Sequence, residues 1–508
     1  MTDFNYQKIN ENRKSGLLLH ITSLPGSYGI GTMGDYAKRF IDLLFDAGQS
    51  YWQVLPVGPT SYGDSPYQSF STFAGNPYLI DLDYLMKDGL LTQEELNQLG
   101  NNYNPTDIDY GRIYNERFLI LKKAFEKFDL EYQDYIEFLE ENIFWLNDYS
   151  LFMALKNHHN GVSWIEWDEK YKTRDSEALE KFILENKNEI DFYNFIQYKF
   201  YEQWNDLKVY AHSKNIELIG DIPIYVAEDS SDVWSNPQLF KLKENLSPAF
   251  VGGCPPDSFS DDGQLWGNPV YDWNANEEED FKWWVERIRS AFDLFDVVRI
   301  DHFRGFESYW EIPAKNETAA GGRWVKGPGS KLFKTIKEKL GELPIIAEDL
   351  GYMTRDVYEF RKETAFPGMK IIQFAFNNEM NSEHMPHNYT TDFVVYAGTH
   401  DNETLRGWIE NNKSDNNGVL DRAIEYGNLT EEEGLHWGII RLCMNSVADT
   451  AIFQVQDILN LGNEARMNTP STLGNNWRWR LKDLPSKEIM DKLKHYTKNS
   501  DRLNKKNI

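Results

Sequence analysis

Two cysteines, Cys254 and Cys443, are all that a chain of 508 residues contains. So few exclude a disulfide framework or a four-thiolate metal site, and reduced thiols are expected. Long apolar runs are also missing: no stretch approaches the roughly 18 consecutive apolar residues of a membrane span. The opening residues Met1-Thr2-Asp3-Phe4-Asn5 lack the basic start and apolar core of a signal peptide, so a cytoplasmic protein with no membrane partner is expected. Positive charge is scarce, with 53 basic against 80 acidic residues and a formal charge of −27. That field repels phosphate backbones and disfavours a nucleic-acid partner. No G-x-G-x-x-G turn follows the first apolar run and no Walker sequence occurs, which speaks against a nucleotide-dependent enzyme. Histidines and cysteines do not cluster at ligand spacing, so neither a metal nor an organic cofactor is expected.

Aromatic residues, by contrast, reach 15% and include 16 tryptophans. They suit a large core, or the binding of sugar rings through their C–H faces. Short apolar, β-branched runs ending in polar or turn residues recur eight times, at 16–22 (GLLLHIT), 51–57 (YWQVLPV), 216–224 (IELIGDIPI), 297–301 (VVRID), 344–349 (PIIAED), 369–376 (MKIIQFAF), 392–398 (DFVVYAG) and 450–458 (TAIFQVQDI). Several are nearly continuous apolar stretches, the mark of parallel strands covered on both faces. Helical patterns fall between many of them, as at 34–48, 281–295, 331–340 and 431–446. Strand and helix alternating eight times predict a (β/α)₈ barrel.

The gap at about 58–215 is far longer than one crossover needs, and its part from 115 to 204 has helical spacing of apolar and charged residues. An inserted, largely helical subdomain is expected there, between the second and third strands of a single catalytic unit. A second insertion at about 225–280, rich in Gly, Pro, Asp, Ser and Asn, reads as a long loop over the barrel mouth.

Working residues of such barrels lie at the carboxyl ends of the strands. Three later runs end in acids, giving Asp301, the pair Glu348 and Asp349, and Asp401. Any one of these alone is equally a helix cap or a surface ion pair. Arg299 and Asp301, two apart on a strand, share a face, and the guanidinium is expected to hold the carboxylate ionised. Glu348 and Asp349 point to opposite faces, so only one faces the barrel axis easily; periodicity does not choose. One protonated and one ionised carboxyl are the usual equipment for cleaving a glycosidic bond. If water resolves the covalent intermediate the enzyme is a hydrolase, and if a sugar hydroxyl does it is a transferase.

The chain resembles the 4-α-glucanotransferases of glycoside hydrolase family 77, a branch of the α-amylase superfamily. The resemblance is carried by segments from Leu18-Leu19-His20-Ile21-Thr22-Ser23-Leu24-Pro25 to Trp477-Arg478-Trp479-Arg480. Between them stand Trp52-Gln53-Val54-Leu55-Pro56, Ser65-Pro66-Tyr67, Gly220-Asp221-Ile222-Pro223, Pro255-Pro256-Asp257, Gly263-Gln264-Leu265-Trp266-Gly267-Asn268-Pro269, Asp301-His302-Phe303-Arg304-Gly305-Phe306, Ala347-Glu348-Asp349-Leu350-Gly351 and Gly398-Thr399-His400-Asp401-Asn402. It implies Asp301 as nucleophile, Glu348 as general acid and then base, and Asp401 as the carboxylate that holds the distorted ring. It further implies that Arg299, His400 and Asp221 shape the cleavage subsite, that Tyr62 and Trp266 contact bound sugar, and that 249–264 arches over the site. Maltooligosaccharides and other α-1,4-glucans would be substrates, with glucose as an acceptor. An amylase-type hydrolase using the same acids and a non-catalytic glucan-binding protein are the rival expectations.

Overall fold

The computed structural model describes residues 13–61, 63–256, 261–377, 382–472 and 474–505. Its twelve strands are, in chain order, β1 (Lys14–Leu18), β2 (Tyr51–Gln53), β3 (Glu217–Pro223), β4 (Phe250–Cys254), β5 (Gln264–Pro269), β6 (Val297–Asp301), β7 (Ser308–Pro313), β8 (Arg323–Lys326), β9 (Ile345–Ala347), β10 (Gly368–Ile371), β11 (Phe393–Tyr396) and β12 (Thr450–Gln454). Eight of them form a wholly parallel sheet in the order β10-β11-β12-β1-β2-β3-β6-β9. Each of the eight apolar runs supplies one of these strands, and helices such as Asp35–Asp46, Lys282–Leu294, Ser330–Leu340 and Leu435–Asn445 alternate with them. The two ends of the sheet meet where the Ala347 N–H donates to the Pro367 carbonyl at 2.9 Å, and this closes the (β/α)₈ barrel.

Between β2 and β3 the chain is mainly helical, with Tyr110–Phe125, Gln133–Glu141, Ile143–His158, Ser176–Glu185 and the 27-residue Lys187–Ser213. The last helix anchors on the barrel through Trp204, which is fully buried and stacks on Phe200 while its indole N–H donates to the Leu294 carbonyl at 2.9 Å. Phe295, edge-on to Trp204, lies so close to Gly220 of β3 that an added Cβ would sit 2.1 Å from its ring. Glycine there lets the aromatic layer pack directly beneath Asp221.

One expectation fails. The segment at 225–280 is not simply a long loop: it contributes β4 and β5, which join β7 and β8 in an antiparallel sheet of order β5-β4-β7-β8. Gly252 and Gly253 are strand residues. A Cβ on Gly253 would come within 2.1 Å of the Gln264 carbonyl oxygen, so glycine here permits close strand approach rather than a turn. Twelve of the sixteen tryptophans are buried; Trp266, Trp273, Trp310 and Trp324 are the incompletely covered ones, all within 264–326. No helix among the described residues is long and apolar enough to cross a membrane.

Candidate active site

The parallel register builds the site. Asp221 of β3 pairs with Arg299 of β6, and Pro223 with Asp301, so neighbouring strands bring the two acids to one guanidinium. Arg299 donates through Nη1 to both Asp221 carboxyl oxygens, at 2.8 and 2.6 Å, and through Nη2 to Asp301 Oδ1 at 2.9 Å. Side-chain exposure grades outward along this pair of strands, from 0% at Asp221 through 4% at Arg299 to 29% at Asp301. Burial pushes the Asp221 carboxyl up while Arg299 pulls it back. Burial likewise works against the Arg299 cation, but Asp221 and Asp301 outweigh it and hold the group well above its ordinary pKa. A single guanidinium nitrogen thus serves both Asp221 oxygens while the other is given to Asp301.

Glu348 follows β9 immediately, beside the end of β6. Its two oxygens accept from the His302 N–H at 2.7 Å and the Leu350 N–H at 2.9 Å. His302 reaches it from a left-handed backbone conformation, φ 53°, sparsely populated by residues with a side chain. Burial first, and then the negative charge of Asp301, push the Glu348 carboxyl up to about 8, against the pull of Arg299 and the two backbone bonds. Asp349 points elsewhere: it accepts from the Met369 N–H at 2.7 Å and faces Arg361 Nε at 3.2 Å. Of the two adjacent acids, therefore, Glu348 is the one electrostatically linked to Asp301.

Asp401 stands five residues beyond β11 on a turn whose Thr399 N–H and hydroxyl both donate to Asn402 Oδ1. Its Oδ1 accepts from Asn468 Nδ2 at 2.7 Å and lies 3.4 Å from His400 Nε2. His400 is buried, which lowers its pKa against the opposing charge of Asp401. The Tyr67 hydroxyl donates to Asp221 Oδ2 at 2.9 Å and is 2.8 Å from His400 Nε2. With its one O–H given to Asp221, Tyr67 accepts from His400, so Nε2 carries the imidazole proton. A continuous polar chain thus runs Asn468–Asp401–His400–Tyr67–Asp221–Arg299–Asp301.

Trp266 of β5 meets His302 edge-on, 4.8 Å between ring centres, next to Asp301 in the chain. Tyr62 lies outside the described residues, as does 257–260 within the arching segment. Sequence reasoning left out Tyr67 and Asn468 as site residues. Tyr67 carried a signal, since it stands inside the segment Ser65-Pro66-Tyr67; Asn468, 67 residues from Asp401, carried none.

All of these residues fall within 19–486, the span matched by the family model described as glycoside hydrolase 77, 4-alpha-glucanotransferase. The chain belongs to this family. It is 53% identical over 483 residues to the 4-alpha-glucanotransferase of Clostridium butyricum, an alignment covering 94% of this chain and 99% of that one. It is 49% identical over 474 residues to the 4-alpha-glucanotransferase of Streptococcus pneumoniae serotype 4, covering 93% and 94%. Among solved structures, the amylomaltase from Streptococcus agalactiae in complex with acarbose matches with a TM-score of 0.93 at 43% identity, covering 97% of this chain and 100% of that one.

Proposed function

We propose that this chain is a 4-α-glucanotransferase that works by retaining double displacement. The observation that carries the reading is the contrast between two linked carboxyl groups: Asp301, bonded to a guanidinium, and Glu348, raised to about 8 by burial and by that same neighbour. In the first step an oxygen of ionised Asp301 attacks the anomeric carbon. The glycosidic C–O bond breaks as Glu348 gives its proton to the departing oxygen, leaving a glycosyl ester on Asp301. In the second step the Glu348 carboxylate takes the proton of an acceptor's 4-hydroxyl, which attacks the same carbon and releases Asp301. One α-1,4 bond is broken and one is made, with two inversions and net retention.

Asp401, oriented by Asn468 and His400, is suited to hold the sugar ring as it distorts, and Arg299, Asp221 and Tyr67 keep the nucleophile in place. Trp266 and Tyr62 are assigned to sugar contact. Maltooligosaccharides act as donors, and glucans or glucose as acceptors, in the cytoplasm. Cys254 and Cys443 form no disulfide, which is compatible with that compartment. Transfer rather than hydrolysis is favoured by the 53% and 49% identical relatives, both 4-alpha-glucanotransferases. Incubation with pure maltotriose tests it. Longer oligosaccharides together with glucose are expected, whereas only shorter products, with one new reducing end per bond cut, would make the chain a hydrolase.

A further inference from the structure

We infer that the exposed aromatic pair Trp324 and Tyr352, at the end of a register row across the antiparallel sheet, is a second glucan-binding surface. The inference rests on the α-glucan reading above and extends it beyond the cleft.

The register defines the row. Leu265 of β5 stands opposite Gly253 of β4, Gly253 opposite Trp310 of β7, and Trp310 opposite Trp324 of β8. Residues directly opposite across a sheet share a face, and strands are about 4.8 Å apart, so the row spans roughly 14 Å. Trp324 then lies against Tyr352, 6.0 Å between ring centres and 21° between planes. The middle of the row is covered, Gly253 being buried and Trp310 packed under Ala319 and Gly322, but its end is open: Trp324 is 38% and Tyr352 64% exposed, in a protein that buries twelve of its sixteen tryptophans.

The aromatic end is built rather than left over. The Arg304 guanidinium lies 3.9 Å from the centre of the Trp324 ring, donates to the Tyr352 carbonyl, and reaches Ser308 Oγ at 3.0 Å. Trp310 meets Trp324 edge-on at 5.2 Å, and its own N–H is spent on the Ala319 carbonyl at 2.9 Å. Rings held from below and beside, with area open to solvent, suit the C–H faces of pyranoses. The polar margin, with Lys326 between Glu307 and Asp356, suits their hydroxyls.

Both ends of the row join the catalytic rim. Beside Leu265 stands Trp266, which touches His302; Tyr352 is on the loop that begins with Glu348, and Arg304 is three residues beyond Asp301. Glu348 protonates the departing oxygen, so the surface reached along its loop borders the half of the cleft that holds the leaving chain and the incoming acceptor. A short oligosaccharide ends inside the cleft, and a long chain continues past it onto Tyr352 and Trp324.

The test compares wild type, the W324A/Y352A double variant and the ring-preserving W324F/Y352F variant, each with a urea midpoint to verify folding. KM and kcat are measured with maltotriose and with long amylose, and mobility is measured in gels with and without amylose. Loss of the two rings is expected to raise KM for amylose about five- to tenfold, with less than twofold change for maltotriose. It should also abolish retardation by amylose, and W324F/Y352F should recover most of both. An unchanged KM for amylose together with unchanged retardation would overturn the inference. So would equal rises for both substrates, which would mean that the loop acts through Glu348. If wild type gives no transfer at all, the enzymatic reading fails, and retardation of wild type but not of W324A/Y352A still decides the surface.

Discussion

Replacing Asp221 by Asn isolates what the buried carboxylate does. In the resting site one guanidinium, 4% exposed, is shared between a fully buried carboxylate and the partly exposed Asp301. When Asp301 becomes an ester it loses its charge, and Asp221 remains to balance Arg299. In Asp221→Asn the resting enzyme keeps one anion, Asp301, opposite the cation. Only the charged contact from Arg299 Nη1 is weakened, a loss of about 2 kcal/mol in stability. On forming the glycosyl-enzyme, however, the variant leaves a buried cation with no carboxylate hydrogen-bonded to it, the Glu348 carboxylate acting on it only at longer range. Uncompensated buried charge costs at least about 3 kcal/mol, so attack should slow about 100-fold beyond the loss of stability. The assay is the initial rate of glucose release from maltotriose, beside a urea midpoint. A kcat/KM within threefold of wild type, in a variant with the expected stability loss, would refute the assignment of Asp221 as the charge partner of Arg299 in the intermediate. Full loss of folding would show instead that its role is structural.

Other expectations follow from the same geometry. Glu348 must be protonated to act as acid, so kcat/KM should fall as pH rises through about 8, tenfold for each unit beyond; a rate still level two units above that would remove Glu348 from the acid role. Asp301→Asn should abolish turnover, by more than about 10⁴-fold, with a urea midpoint close to wild type because the side chain is partly exposed; residual activity near wild type would sink the nucleophile. Tyr67→Phe breaks the chain between His400 and Asp221 while keeping the ring stacked on His400, and should lower kcat about tenfold, measured with maltotriose. Asp349→Asn should leave the pH limb of Glu348 in place yet cost about 2 kcal/mol in stability, since it removes one of the two carboxylates beside buried Arg361, which keeps Asp392; the urea midpoint and the pH profile read the two effects separately.

Much of the barrel was readable because its strands are buried on both faces and so appear as unbroken apolar runs, IIA at β9 and FVVY at β11 being the plainest. The second sheet was not. Its strands are short and mixed: FVGGC of β4 is interrupted by two glycines, and RWVK of β8 is mostly exposed, so neither shows the pattern of a core strand. At the site, the two-residue spacing of Arg299 and Asp301 gave a correct prediction of their contact. The same spacing said nothing of Asp221, which arrives from β3 through sheet register. Periodicity also left Glu348 and Asp349 undecided. What separates them is the turn after β6, where His302 aims its N–H at one and not the other, and no local pattern encodes that.

The seam between β9 and β10 has a consequence for how this barrel breathes. Where other neighbouring strands share a ladder, these ends are joined by the Ala347 to Pro367 bond and by the Asp349 carboxylate on the Met369 N–H. Asp349 is a rivet, and it is adjacent in the chain to the acid that shuttles the proton. On its other flank β9 is paired with β6, where the Glu348 N–H donates to the Ile300 carbonyl and the Phe303 N–H donates to the Glu348 carbonyl, so a parted seam would leave the acid seated on the His302 amide, on the strand pair that carries the nucleophile.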